Sequence, residues 1–114
     1  MEQYNQIQIR GMVGNVRVTT FPDSVMGNIS VATNYMYMTR DGQPAAETTW
    51  FTVLAREGKA IEKLSMVNKG SALQVVGRMR SRSYKDAEGI DHNVMEVIAA
   101  KVEVLNETLT NGTV

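Results

Sequence analysis

The sequence predicts an all-β domain: a five-stranded barrel with one short α-helix between strands three and four and two long β-hairpins. Two observations carry this prediction. Most of residues 7–105 alternates between apolar and polar side chains with the period of a strand, whereas a single short segment has helical spacing. Five strands without an obvious second layer would also leave two sheet edges open, and closing the sheet into a barrel removes both edges.

The first predicted strand is bent. Apolar residues alternate from Ile7 to Val18, and Gly11 and Gly14 interrupt the alternation where a strand can bulge or coil sharply. A turn-like stretch follows over residues 22–27.

The next two strands form the first long hairpin. Residues 28–39 are rich in β-branched and aromatic side chains and lead into Asp41-Gly42, a strong hairpin signal. Residues 47–55 then alternate, so that Phe51 lies on an apolar face and Trp50 points to the opposite side.

Helical spacing appears only between these strands and the last two. Residues 58–68 place apolar side chains three and four positions apart, and Gly70 can end the predicted α-helix. Residues 73–84 and 93–105 resume strand character around a polar loop over residues 85–89, which predicts a second long hairpin.

This order of three strands, one helix and two strands is satisfied by an oligonucleotide/oligosaccharide-binding (OB) barrel. A two-layer sheet-plus-helix domain is the alternative. We expect residues 1–105 to form the domain, and residues 106–114 to form a short flexible tail because they are polar and lack periodicity.

Composition excludes several kinds of site. The chain has 114 residues, no cysteine and one histidine, which rules out thiolate catalysis and cysteine or histidine metal clusters. No serine, cysteine or carboxylate pattern typical of a catalytic relay accompanies His92, so we expect it to be a surface histidine. With no catalytic constellation in the sequence, we expect no cofactor and no enzyme activity. The absence of cysteine and of a signal peptide favours a location in the cytoplasm.

Charge is distributed unevenly along the chain, although the formal net charge is +0. Residues 51–85 hold eight basic and two acidic side chains, a balance of +6, whereas residues 86–114 have a balance of −5. Separation in sequence suggests separation in space, and a basic region of this kind is typical of a nucleic-acid footprint.

The most informative stretch is residues 77–84. In an extended strand Arg78, Arg80, Arg82 and Tyr84 all point to one face. Repeated cations suit a phosphate chain and a flat ring suits an unstacked base, so the pattern predicts a groove for single-stranded nucleic acid. The alternative is an edge strand kept charged against aggregation.

Two further aromatic residues favour the binding hypothesis. Trp50 points away from its strand's apolar face, and Tyr37 lies near the free end of the first hairpin, where a small barrel has no core to absorb it. The alternatives are burial of Trp50 against the helix or a subunit interface, and cross-strand pairing of Tyr37 within the hairpin.

Over roughly residues 5–105 the chain resembles bacterial single-stranded DNA-binding proteins. The resemblance is carried by the order and spacing of short motifs: residues 5–7 with Gly11 and Gly14, Val16-Arg17, residues 28–34, Thr49-Trp50, Gly58-Lys59, residues 69–71, residues 77–84 and the turn at residues 86–89.

The resemblance implies an OB-fold protein that assembles as a homotetramer, with a dimer as second choice. It also implies a cytoplasmic, nucleoid-associated protein that binds single-stranded DNA without catalysis during replication, recombination and repair. Position by position, it implies stacking of bases on Trp50, Tyr37 and Tyr84 and phosphate contacts from Arg17, Lys59, Arg80 and Arg82. Strand parity adds Arg78.

The chain departs from the family pattern at several places. Phe51-Thr52 replaces the His-Arg pair that often follows the tryptophan, and Arg56, which we include among the DNA-binding residues, occupies a position that is often aromatic. The sequence ends at Val114 without the family's acidic tip, so recruitment of replication proteins through such a tip is not expected. The absent tip also suits an alternative function, that of a dimeric OB-fold primosome-assembly or interaction protein whose nucleic-acid binding is secondary.

Overall fold

Five long β-strands form a closed barrel in the computed structural model, which describes residues 1–105 and the backbone of residues 112–113. The strands are β1 (Ile7–Phe21), β2 (Ser24–Met38), β3 (Pro44–Arg56), β4 (Ala72–Lys85) and β5 (Asp91–Leu105). Pairing runs in the order β1-β4-β5-β3-β2, and β2 returns to β1. The predicted all-β class and five-stranded barrel are therefore confirmed.

Strand β1 closes the barrel because it bends and serves two neighbours. Residues 7–12 pair with β4, and residues 12–21 pair with β2. The register with β2 shifts between Val13 and Asn15, so Gly14 lies in a β-bulge at one of the predicted interruptions. At Gly11 a Cβ atom would lie 2.3 Å from the carbonyl oxygen of Ala32, so only glycine allows the backbones to approach this closely.

The core consists of the inward half of each alternating strand. Phe51 packs against it from the same side of β3 as Val53 and Ala55, as the sequence predicts. The largest fully buried side chains are branched aliphatics contributed by β2, β3, β4 and β5: Ile29, Val31, Val53, Leu73, Val75 and Val97.

The α-helix predicted over residues 58–68 is wrong. Within residues 1–105 the only helical element is a 3-10 turn at Leu64–Met66. Gly58 has a φ of +83°, and the Ala60 carbonyl accepts a hydrogen bond from the backbone N–H of Val102 in β5. A helix this short is marginal in water, and these loop and sheet contacts satisfy the backbone instead. The apolar residues that suggested a helix are nevertheless buried in the core: Ala60, Ile61, Leu64 and Val67.

One predicted connection also differs from the structure, and the predicted tail is largely untested. The turn predicted over residues 22–27 ends sooner, because Val25 to Gly27 already pair with β1. The tail predicted over residues 106–114 lies outside the described residues, except that Gly112–Thr113 form a short strand, β6, parallel to Tyr35 and Met36. The described residues include no helix long and apolar enough to span a bilayer.

Candidate nucleic-acid interface

The hairpin of β4 and β5 presents the row of arginines on its outer face. Inward residues of β4 such as Val75 enter the core, and the alternate positions 78, 80, 82 and 84 point outward. Across the hairpin they face Ile98, Glu96, Val94 and His92 in that order. This row of three arginines and Tyr84, called the arginine row below, is at least partly exposed along its whole length.

A buried carboxylate interrupts the positive charge of the arginine row. Glu96 has a side chain only 5% exposed, and its Oε1 accepts hydrogen bonds from Arg80 at 3.0 Å and from Arg82 Nε at 3.1 Å. The Arg82 contact is the main cause that lowers the pKa of Glu96, and it outweighs the opposing effect of burial. The same contact raises the pKa of Arg82. Glu96 and Arg82 therefore both remain charged.

The predicted spatial separation of basic and acidic segments is wrong at this hairpin. Strand β4 belongs to the basic segment and β5 to the acidic one, and antiparallel pairing brings the two together. Besides the Glu96 cluster, Lys85 Nζ lies 3.1 Å from Asp91 Oδ1. The arginine row still holds three cations against one carboxylate, and Arg78 forms no ion pair with any of the described residues. The row therefore keeps a net positive charge.

Tyr84 is the last residue of the arginine row, and its ring contacts two other planar side chains, those of Arg82 and His92. Its ring centroid lies 5.5 Å from the guanidinium carbon of Arg82, within cation–π range. On the other strand the His92 ring is stacked on it, with centroids 5.1 Å apart. Tyr84 retains 42% exposure, so part of its surface is accessible to a ligand.

Trp50 is the most exposed aromatic side chain on the barrel proper, at 61%. It projects from the outer face of β3, opposite Ala32 of β2, and its indole extends over the bulge in β1. A Cβ atom at Gly14 would lie 2.5 Å from Cζ3 of this ring. Because Gly14 has no side chain, the indole can pack closely over it. The rest of the Trp50 ring remains exposed to solvent.

Tyr37 lies on a different surface from Trp50. The β2–β3 register pairs Trp50 with Ala32 and Tyr37 with Ala45, which places the two rings on opposite faces of the hairpin. Tyr37 is 42% exposed, and its ring centroid is 6.5 Å from that of Tyr35. A ligand that touched both Trp50 and Tyr37 would have to pass around the edge of the hairpin arm.

The remaining basic residues connect these surfaces. A row of paired positions crosses the outer face of all five strands and has an arginine at each end: Arg17, Asn28, Leu54, Ile98 and Arg78. Arg56 is exposed at the end of β3. Lys59 lines an open groove of about 400 Å³ together with Arg78 and Gln6. In the described part of the chain, Arg17, Arg56 and Lys59 take part in no ion pair.

Three residues of this interface escaped the sequence prediction: Glu96, Gly14 in its role beneath Trp50, and His92 as a partner of Tyr84. The register of the β4–β5 hairpin is the signal that could have found Glu96 and His92. Counting back from the Lys85–Asp91 pair beside the turn places Glu96 opposite Arg80 and His92 opposite Tyr84. No local pattern indicates that Trp50 lies over Gly14, because that contact joins two strands distant in sequence.

Comparison with known proteins gives a consistent result. The model of the single-strand binding protein family matches residues 4–105. The single-stranded DNA-binding protein of Neisseria meningitidis serogroup A is 28% identical over 78 residues, which cover 68% of this chain and 45% of that protein. Single-stranded DNA-binding protein 1 of Xylella fastidiosa is 31% identical over 87 residues, covering 75% of this chain and 64% of that protein. The chain thus spans about half the length of the first of these relatives, at 45%, and 64% of the length of the second.

Solved structures resemble the barrel more closely than their sequences suggest. The Plasmodium falciparum SSB complex with ssDNA aligns with a TM-score of 0.81 at 18% identity, covering 93% of this chain and 98% of that one. A deletion mutant of the single-stranded DNA binding protein from Thermus aquaticus aligns with a TM-score of 0.76 at 17% identity, covering 90% of this chain and 51% of the other. At these identities the likeness establishes the fold.

Proposed function

The chain belongs to the single-strand binding protein family, and on that premise we propose that it binds single-stranded DNA without strong sequence preference and without catalysis. Bases stack on exposed rings and phosphates are neutralised by arginine and lysine. The observation that carries the proposal is Trp50, a large apolar ring 61% exposed and supported from below by Gly14, on the same barrel as the arginine row. An exposed ring of this size has no role in the core.

The proposed contacts divide into stacking and phosphate positions. Trp50, Tyr37 and Tyr84 stack on bases, since every base has a flat face and stacking is tolerant of sequence. Six arginines and lysines follow the sugar-phosphate chain: Arg17, Arg56, Lys59, Arg78, Arg80 and Arg82. Because Trp50 and Tyr37 lie on opposite faces of one hairpin, the DNA is expected to curve around the hairpin arm rather than run straight.

The direct test is a fluorescence titration with poly-thymidine. Trp50 is the only tryptophan of the chain, so quenching reports on this position alone. We expect stoichiometric quenching by single-stranded DNA and weak competition from duplex DNA of equal length, and competition by RNA would show whether the protein discriminates between the two. An unchanged Trp50 signal under saturating poly-thymidine would contradict the proposal and favour the primosome-type interaction protein.

Matched variants separate the proposed contacts from general charge. Arg78→Ala and Lys101→Ala each remove one positive charge, but Lys101 is ion-paired with Glu103 and belongs to none of the proposed contacts. We expect R78A to weaken binding severalfold and K101A to leave it nearly unchanged. Equal effects of the two variants would mean that only net charge matters.

We further propose that the protein acts as a homotetramer. The barrel leaves several large apolar side chains exposed, and association would cover part of this surface. They include Val18, Phe21, Met38 and Met95. Light scattering at micromolar concentration is expected to give about four times the chain mass of 12.6 kDa. A dimer would favour the interaction-protein alternative, and a monomer would contradict assembly.

The wider role that we propose is protection of single strands during replication, recombination and repair in the cytoplasm, at the nucleoid. A fluorescently labelled protein should then collect in foci when replication forks are stalled. A uniform distribution before and after stalling would argue against this role.

A further inference from the structure

His92 is the only histidine of the chain, and its position is specific. It lies directly across from Tyr84 in the β4–β5 pairing, on the outer face of the hairpin and at the end of the arginine row. The two rings are stacked, with centroids 5.1 Å apart and planes inclined by 18°. Side-chain exposure of His92 is 43%, so the imidazole is neither buried nor fully solvated.

The imidazole is held in place from its outer edge. Nε2 of His92 lies 2.7 Å from Oδ2 of Asp86. Because an ionised carboxylate can only accept hydrogen bonds, Nε2 must carry the proton and donate it. The His92 contact is the main cause that lowers the pKa of Asp86, so the carboxylate remains ionised at neutral pH.

Asp86 is itself fixed by the turn. Its Oδ1 accepts hydrogen bonds from the backbone N–H groups of Glu88 at 2.9 Å and Ile90 at 3.0 Å. On the other side of the pair, Arg82 lies near the Tyr84 ring and is bonded to Glu96. A continuous series of contacts therefore fixes the orientation of both rings: Glu96, Arg82, Tyr84, His92 and Asp86.

We infer that the rings of Tyr84 and His92 form one composite stacking platform, and that His92 is a nucleobase-binding residue. The inference rests on the proposed function and adds a contact to it. Because the two rings are stacked on each other, a base that stacks on the exposed side of the pair extends an existing stack. A surface that is already ordered loses little conformational entropy on binding. The ligand class is an unpaired nucleotide whose base stacks on the platform and whose phosphates lie toward Arg82 and Arg80.

The alternative is that His92 only stabilises the turn through its hydrogen bond to Asp86. Three substitutions distinguish the two roles. His92→Ala removes ring and hydrogen bond, whereas His92→Phe keeps a stackable ring and loses the hydrogen bond to Asp86. Asn93→Ala is the matched control, because Asn93 is its neutral neighbour on the opposite face of the same hairpin, bonded to Ser83.

Affinity for oligo-thymidine is measured through Trp50 quenching, and thermal melting verifies that each variant folds. A stacked base contributes about 1 to 3 kcal/mol, and His92 supplies part of one platform, so we expect H92A to weaken binding about fivefold. H92F should stay within about twofold of the wild type, and N93A should match it. The imidazole proton resonances of the single histidine should also shift upfield on saturation with oligo-thymidine, as expected when a base stacks on the ring.

The outcomes separate this inference from the proposed function. Wild-type protein that fails to bind oligo-thymidine overturns both. Wild-type binding with H92A equal to wild type, with H92F as weak as H92A, or with unshifted histidine resonances overturns the role of His92 alone and leaves the family function standing.

Discussion

The support of Trp50 by Gly14 leads to a prediction about a residue that need not touch DNA. In Gly14→Ala the new Cβ would lie 2.5 Å from Cζ3 and 2.7 Å from Cη2 of the indole, whereas ordinary van der Waals contact begins at 3.4 Å. The ring edge must therefore retreat by about 0.9 Å, the difference between 3.4 and 2.5 Å. Because Trp50 is largely exposed, it can turn away without disturbing the core.

The expected result is a loss of binding with little loss of stability. Displacing one stacking platform removes part of the about 1 to 3 kcal/mol that a stacked base contributes. We expect G14A to raise the Kd for oligo-thymidine about fivefold, corresponding to about 1 kcal/mol. The free energy of unfolding should change by less than about 0.5 kcal/mol.

A double-mutant cycle with Trp50→Ala is the sharpest assay. If Gly14 acts only through the indole, G14A/W50A binds no more weakly than W50A. Gly11→Ala is the contrasting control, because its Cβ would meet the immobile backbone oxygen of Ala32 and should destabilise the fold itself. Wild-type affinity in G14A, or a G14A effect that persists in the W50A background, would refute this account.

Three further predictions concern the charges and the core. If each subunit neutralises about five phosphates, the logarithm of affinity should fall with the logarithm of salt concentration at a slope of about −3.5, and a flat titration would remove the electrostatic contribution. The folded-state pKa of Glu96 is lowered, so its stabilisation is complete above the ordinary carboxyl range and is lost as the pH falls through that lowered value. Glu96→Gln should therefore reduce the free energy of unfolding by about 1 kcal/mol at pH 7 and by less at pH 3 in urea melts, and equal losses at both pH values would contradict this. Leu64→Ala should reduce the free energy of unfolding by about 2 to 4 kcal/mol, because this side chain is only 3% exposed although it lies in a loop. A urea melt close to that of the wild type would show that the loop does not seal the core.

The parts of the fold that the sequence predicted are those encoded within single strands. The alternation of Phe51 and Val53 with Trp50 determines which face of β3 is buried, and neighbouring residues suffice to predict it. The interruption at Gly14 likewise marked the bulge in β1. Such signals need no knowledge of the partner strand.

The parts that failed depend on partners distant in the chain. Residues 58–68 have helical spacing because their apolar side chains all enter one core, but the Ala60 carbonyl binds Val102 of β5, a contact that no local pattern announces. The charge prediction failed for a related reason. Glu96 lies in an acidic segment, and only the hairpin register reveals that it binds two arginines of the candidate site.

The bend in β1 also determines when the barrel can be completed during synthesis. Ile7 pairs with Gly77, so the first half of β1 has no partner until β4 has left the ribosome, whereas Phe21 pairs with the nearby Ser24. The β1–β2–β3 meander can therefore form early, while residues 7–11 of β1 stay unpaired until β4 is available. Closing that long loop carries an entropic cost that must be met before the pairing stabilises anything, which makes barrel closure the slow and late step of folding.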